Sequence, residues 1–110
     1  MSVEENKALA RRFVEEVWNQ GRLEVADALL APDLVTHQSG GGTTTDRAAF
    51  TSFIGDFRAA YPDVRYTIED MLGEGDEVAT RVTIRADRAD QAAARTGIGI
   101  VRVAGGQIVE

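Results

Sequence analysis

Phe57-Arg58-Ala59-Ala60-Tyr61-Pro62-Asp63-Val64-Arg65-Tyr66-Thr67-Ile68-Glu69 is the stretch in which the chain changes its period. Upstream of it, Ala49, Phe50, Phe53, Ile54 and Phe57 recur three or four residues apart, the spacing of a helix with one buried stripe. Pro62 stops that helix, because its ring removes an amide donor and clashes with the preceding turn. Downstream, Val64, Tyr66 and Ile68 alternate with Arg65, Thr67 and Glu69, which is the two-residue period of a strand. The alternation resumes after a turn at Gly73-Glu74-Gly75-Asp76, with Val78, Thr80, Val82 and Ile84 set against Ala79, Arg81, Thr83 and Arg85. Residues 98–103 read as a third strand, and Ala104-Gly105-Gly106-Gln107 turns into a last one over residues 108–110. Residues 85–95 are alanine-rich and charged, follow neither period and take no assignment.

Working toward the N-terminus, helices precede the strands. Ser2 and Glu5 stand at the spacing of a capping box, in which each caps the other's amide. Ala10, Phe13, Val14, Val17 and Trp18 then form an apolar stripe that ends at Gly21. A second, short helix spans residues 23–30, ended before Pro32. Residues 34–38 are extended, Ser39-Gly40-Gly41-Gly42 is a loop, and Thr45 or Asp46 caps the third helix. Helices followed by a strand meander give an α+β layer arrangement.

The chain has 110 residues, the size of one domain spanning 1–110. A net charge of −6 argues against nucleic acid as a partner, since phosphate binding wants a basic face, and against anionic membrane surfaces. With no cysteine, neither disulfides nor thiolate chemistry is available. The first seven residues lack the basic-then-apolar pattern of a secretory signal, so a cytoplasmic protein is expected. A single histidine and scattered carboxylates do not suggest a metal site. Gly40-Gly41-Gly42 is not followed by the Lys-Ser/Thr pair of a phosphate loop.

Several strings carry a resemblance. Asn6-Lys-Ala-Leu-Ala-Arg-Arg-Phe-Val-Glu-Glu-Val-Trp-Asn-Gln-Gly21, Leu29-Leu30-Ala31-Pro32-Asp33-Leu34-Val35-Thr36-His37 and Phe57-Arg58-Ala59-Ala60-Tyr61-Pro62-Asp63 look like successive elements of SnoaL-like polyketide cyclases, in the nuclear-transport-factor-2-like superfamily. Gly73-Glu74-Gly75-Asp76-Glu77-Val78-Ala79 resembles that family's hairpin, and Thr96-Gly97-Ile98-Gly99-Ile100-Val101-Arg102-Val103 with Gly106-Gln107-Ile108-Val109-Glu110 its last two strands. The resemblance implies a cone-like curved, mixed or antiparallel sheet packed against N-terminal helices around a pocket. It implies little about function, because this architecture hosts several chemistries and non-catalytic modules. Gly99 stands where cyclising members carry an acidic residue, and Asp87 and Arg88 where many carry a histidine. Members continue past Val-Glu with a His-Trp pair and more strand, whereas this sequence ends at Glu110.

His37 is the one imidazole and the natural general acid/base near neutral pH. It is expected at the pocket mouth as base, or else as a hydrogen-bonded loop histidine. Trp18, Phe53, Phe57 and Met71 are either core or the wall of a pocket for a flat apolar ligand. Arg81, Thr83 and Arg85 share one strand face. On a concave face they would hold a carboxylate or enolate, with Arg81 the leading donor; on a solvated face they would pair across strands with Glu69. The expected function is cofactor-free cyclisation or isomerisation of a small polycyclic or aromatic ketone by enolisation. The alternative is a non-catalytic ligand-binding or dimerisation module. A homodimer is expected from an uncovered apolar sheet face, placed at Val101 and Val103.

Overall fold

The computed structural model describes residues 2–38, 41–86 and 94–110. Helix α1 (Val3–Arg12) begins with the capping box expected from the sequence: the Glu5 amide donates to Ser2 Oγ, and the Ser2 amide to Glu5 Oε1, both at 3.1 Å. These hydrogen bonds, the backbone one first, hold the Glu5 carboxyl below its ordinary range. The helix does not continue as α. Phe13–Asn19 winds as a wider π-helical segment, where the sequence stripe suggests one uninterrupted α-helix. The wider turn still buries Phe13, Val17 and Trp18, and it also sets Asn19 against the sheet. Asn19 Nδ2 donates to the Tyr66 carbonyl at 2.8 Å, and the Tyr66 amide donates to Asn19 Oδ1 at 2.7 Å. One side-chain amide thus pairs with a strand as a neighbouring backbone would. Gly21 follows at φ +70, where an added Cβ would lie 2.6 Å from Arg58 Nε. Arg58 in turn donates to the carbonyls of Trp18 and Asn19, two of the acceptors a helix end leaves open.

Helix α2 (Leu23–Leu29) buries Val25, Ala26 and Leu29. Two short strands, β1 (Thr36–His37) and β2 (Thr43–Thr44), pair antiparallel; two residues are too few for β2 to show a period in the sequence. Helix α3 (Arg47–Ala60) is capped by Asp46, whose side chain accepts the Ala49 amide at 2.6 Å.

Strands β3 (Arg65–Glu74), β4 (Glu77–Arg85), β5 (Ala94–Ala104) and β6 (Gln107–Ile108) form one antiparallel sheet in that order. Together with the three helices they make an α+β fold. Strand β3 is longer than its alternation suggests, because a bulge between Ile68 and Asp70 breaks the period in mid-strand. Strand β5 reaches back to Ala94, inside the stretch that took no assignment. Asp87 and Arg88 lie outside the described residues.

Register separates the two faces of the sheet. Val78, Thr80 and Val82 of β4 are buried, and they stand opposite Val101, Gly99 and Gly97 of β5. This inner face meets the helices in a core that includes Val17, Leu30, Leu34 and Ile54. Val103 is buried in it as well. The apolar face expected at Val101 and Val103 is therefore not the uncovered one. Ile98 and Ile100, the alternate residues of β5, point outward and are 72% and 64% exposed.

Candidate functional site

Between α1 with its π-helical continuation and the inner face of the sheet lies a cavity of about 210 Å³. Ala10, Phe13, Val14 and Trp18 form its helical wall. Tyr66, Thr80, Val82, Ile84 and Val101 form the sheet wall together with the backbone at Gly97, Ile98 and Gly99. Strand β5 presents two glycines to the cavity, and only Gly99 leaves space open. An added Cβ at Gly99 would meet nothing within 4 Å, whereas one at Gly97 would meet Ile84 Cδ1 at 3.2 Å and Val82 Cγ2 at 3.4 Å. Where the family acid is expected, the wall is open.

The lining is almost wholly apolar. Its side-chain polar groups are the hydroxyls of Tyr66 and Thr80 and the indole N–H of Trp18. The Tyr66 ring stacks on Trp18 with centroids 4.7 Å apart, and its backbone is held by Asn19. No hydrogen bond to the Tyr66 hydroxyl forms among the described residues. Burial pushes this phenol up to about 12, because the apolar surroundings disfavour the phenolate. At neutral pH it is a hydrogen-bond donor. The folded-state value lies above the ordinary 10.0, so the stabilisation it carries is complete below pH 10 and is lost as pH rises toward 12. Absorbance at 295 nm should show a phenol ionising near pH 12 or with alkaline unfolding. That step should vanish in Tyr66→Phe; a variant titrating like the parent would place the late phenol elsewhere.

The residues singled out in the sequence do not all meet here. Trp18 is in the wall. Phe57 and Phe53 stand outside it, edge-on to Trp18 at 5.7 and 6.4 Å. Phe53 is 41% exposed and stacks on Phe50 at 6.1 Å. Met71 pairs with Thr80 in register but lies along α1, in a shallow groove with Lys7 and Arg11. Arg81, Thr83 and Arg85 alternate with the buried residues of β4 and occupy the outer face. Thr83 Oγ1 donates to Glu69 Oε1 at 3.1 Å there, so of the two readings of this trio the structure adopts the solvated face. His37 is not among the lining residues. Its side chain is 61% exposed, with Nε2 3.0 Å from Glu110 Oε2, and the other Glu110 oxygen pairs with Arg102. The β1–β2 ladder carries His37 to Glu110, beyond the last strand, and not to the lining of this cavity. Sequence reasoning missed Tyr66, although it shares the inward phase of β3 with Ile68, and it missed Thr80 and Ile84.

The family model for the SnoaL-like domain matches residues 10–110. The chain belongs to the SnoaL-like family. Solved structures share its fold. A candidate polyketide cyclase from Acidithiobacillus ferrooxidans is 24% identical, over 99% of this chain and 87% of that one, with a TM-score of 0.83. IdmH, a candidate polyketide cyclase from Streptomyces antibioticus, is 26% identical over 94% and 86%, with a TM-score of 0.81. An LEH-like epoxide hydrolase from M. tuberculosis is 18% identical over 97% and 79%, with a TM-score of 0.84. No curated protein matches the chain. The different activities named for these neighbours mean that function has to be argued from the site. Among the described residues of this chain, no helix is long and apolar enough to cross a membrane.

Proposed function

We propose that this SnoaL-like chain binds a small, flat, apolar or aromatic ketone without enolising it. The observation that carries this is the cavity lining: among the described residues it contains no carboxylate, imidazole or cation. Enolisation needs a base held over the α-carbon of the ligand. His37 is engaged with Glu110 away from the cavity, and Arg81 faces the other side of the sheet. What remains is a dry wall with hydroxyl donors to orient a carbonyl, which serves binding.

Volume narrows the ligand. An engineered cavity of about 150 Å³ holds benzene, so about 210 Å³ suits one or two rings rather than a tetracyclic polyketide. 1-Tetralone, a two-ring aromatic ketone with exchangeable α-protons, separates binding from catalysis. Trp18 is the only tryptophan and lines the cavity. Its fluorescence should change saturably with 1-tetralone, with Kd in the tens of micromolar, on the order of −6 kcal/mol. Deuterium uptake at the α-carbon in D₂O, followed by NMR, should proceed at the rate without protein. No fluorescence response up to the solubility limit would remove the binding reading. Accelerated exchange would replace it with the acid/base enzyme.

A further inference from the structure

The inward phase of β4 is Val78, Thr80, Val82 and Ile84, and that of β5 is Arg95, Gly97, Gly99, Val101 and Val103. Arg95 is the only charged residue in either set, and it is not part of the cavity lining. It pairs in register with Ile84, which in turn pairs with Tyr66, and both of those residues line the cavity. Directly opposed residues have Cβ atoms about 5 Å apart, so the Arg95 side chain starts at the cavity rim. Gly97, about 7 Å further along the strand, puts no side chain between Arg95 and the opening beside Gly99. Arg95 is exposed, and its side chain forms no salt bridge or hydrogen bond among the described residues. The other cations near this row are engaged or turned away. Arg11 and Arg12 pair with Glu15 and Glu16 along the facing helix, and Arg81 and Arg85 occupy the outer face.

We propose that Arg95 binds a carboxylate on the ligand's ring, so that the cavity takes a small aromatic keto acid in preference to a neutral ketone. A guanidinium grips a carboxylate through two parallel hydrogen bonds. Its aliphatic stem lies along apolar surface while its charged head stays in water, so the rings enter the dry part of the cavity and the acid remains at the rim. The Thr80–Gly99 row lies four strand residues, about 14 Å, from the Ile84–Arg95 row. An extended arginine side chain and a two-ring ligand together span that distance, which leaves the ketone oxygen to the Thr80 hydroxyl. The chain as a whole carries a charge of −6 and repels anions at long range. A preference for an acid over its uncharged analogue therefore requires a local cation. The inference rests on the ligand-binding reading, and its test separates the two.

Trp18 fluorescence, titrated at neutral pH with 1-tetralone, 1-tetralone-6-carboxylate and 1-tetralone-6-carboxamide, tests it on the full chain. The parent should bind the carboxylate at least tenfold more tightly than the carboxamide, with a margin that shrinks as salt rises. Arg95→Gln should remove the margin and leave the affinity for 1-tetralone within twofold of the parent. Arg95→Lys, a point charge without the fork, should keep part of it. Arg65→Gln removes a cation from the same end of the sheet but from the outer face, and should keep the whole margin. Circular dichroism should show every variant folded, since both arginines are exposed. A parent that binds 1-tetralone but holds the acid and the amide equally overturns this proposal and leaves the cavity reading standing. A margin that survives Arg95→Gln, or that falls as far in Arg65→Gln, also overturns it. A parent that binds none of the three compounds overturns both.

Discussion

Trp18→Ala is expected to lower the unfolding free energy by about 3–5 kcal/mol, the usual loss when a buried large aromatic is truncated. The indole is 8% exposed and is the hub of the aromatic group: Tyr66 stacks on it at 4.7 Å, and Phe57 and Phe53 meet it edge-on at 5.7 and 6.4 Å. Such ring pairs add roughly 0.5–1.5 kcal/mol each beyond area burial. Trp18 also lines the existing cavity, so truncation enlarges a void that is already there. Domains of this size hold about 5–15 kcal/mol in total, so the loss is a large fraction of the whole. The midpoint of thermal unfolding should fall by roughly 15–25 °C. Trp18→Phe, which keeps a ring against Tyr66, should lose less than half as much. Urea unfolding followed by circular dichroism measures both variants, since the only tryptophan is gone. A loss below about 1 kcal/mol for Trp18→Ala would mean that the ring lines a groove without holding the core together.

The positions of the helices and long strands were legible because each carries a period. The stripe of α1 and the alternation of β4 follow from one buried face each, and register confirms the alternation: Val78, Thr80 and Val82 are buried while Glu77, Arg81 and Arg85 are exposed. Strand β5 misleads for a physical reason. Its most apolar side chains, Ile98 and Ile100, are outside, and the inner phase holds Gly97 and Gly99. Apolarity alone would turn this strand over; pairing with β4 decides it. The π-helical turn was not legible either. Its clamp joins Asn19 to Tyr66 across 47 residues of sequence, and no local pattern encodes that. His37 is similar: chain position suggested a pocket mouth, and the hydrogen bond it makes is to Glu110, 73 residues away. The site was read least well because a cavity is defined by side chains that are missing, and its walls are ordinary core residues.

The glycine at position 99 gives the sharpest handle on that cavity. Its backbone is not in the left-handed region, and an added Cβ meets nothing within 4 Å, so a side chain enters open space without strain. Gly99→Ile should stabilise the protein by about 1 kcal/mol. Removing a strand-interior glycine recovers roughly 0.5–1 kcal/mol of chain entropy, and a β-branched side chain suits a strand facing apolar groups. The thermal midpoint should rise by about 4–8 °C. The same side chain occupies the space beside Trp18 and Thr80, so the fluorescence response to 1-tetralone should weaken at least tenfold. Gly97→Ile is the contrasting case: its Cβ would already press on Ile84 and Val82 at 3.2 and 3.4 Å, and overpacking should cost about 1–3 kcal/mol. Gly99→Asp completes the set by restoring the carboxylate that cyclising relatives are expected to carry. In this apolar wall the charge has no partner among the lining residues, so its pKa should rise and stability should fall. Turnover is not expected from it, because a lone carboxylate without a positioned acid is half of an acid/base pair. Stability gained together with binding lost in Gly99→Ile would fix the ligand at this wall. Unchanged binding in that variant would move the ligand elsewhere, and α-proton exchange appearing in Gly99→Asp would show that the rest of an enolising site is already in place.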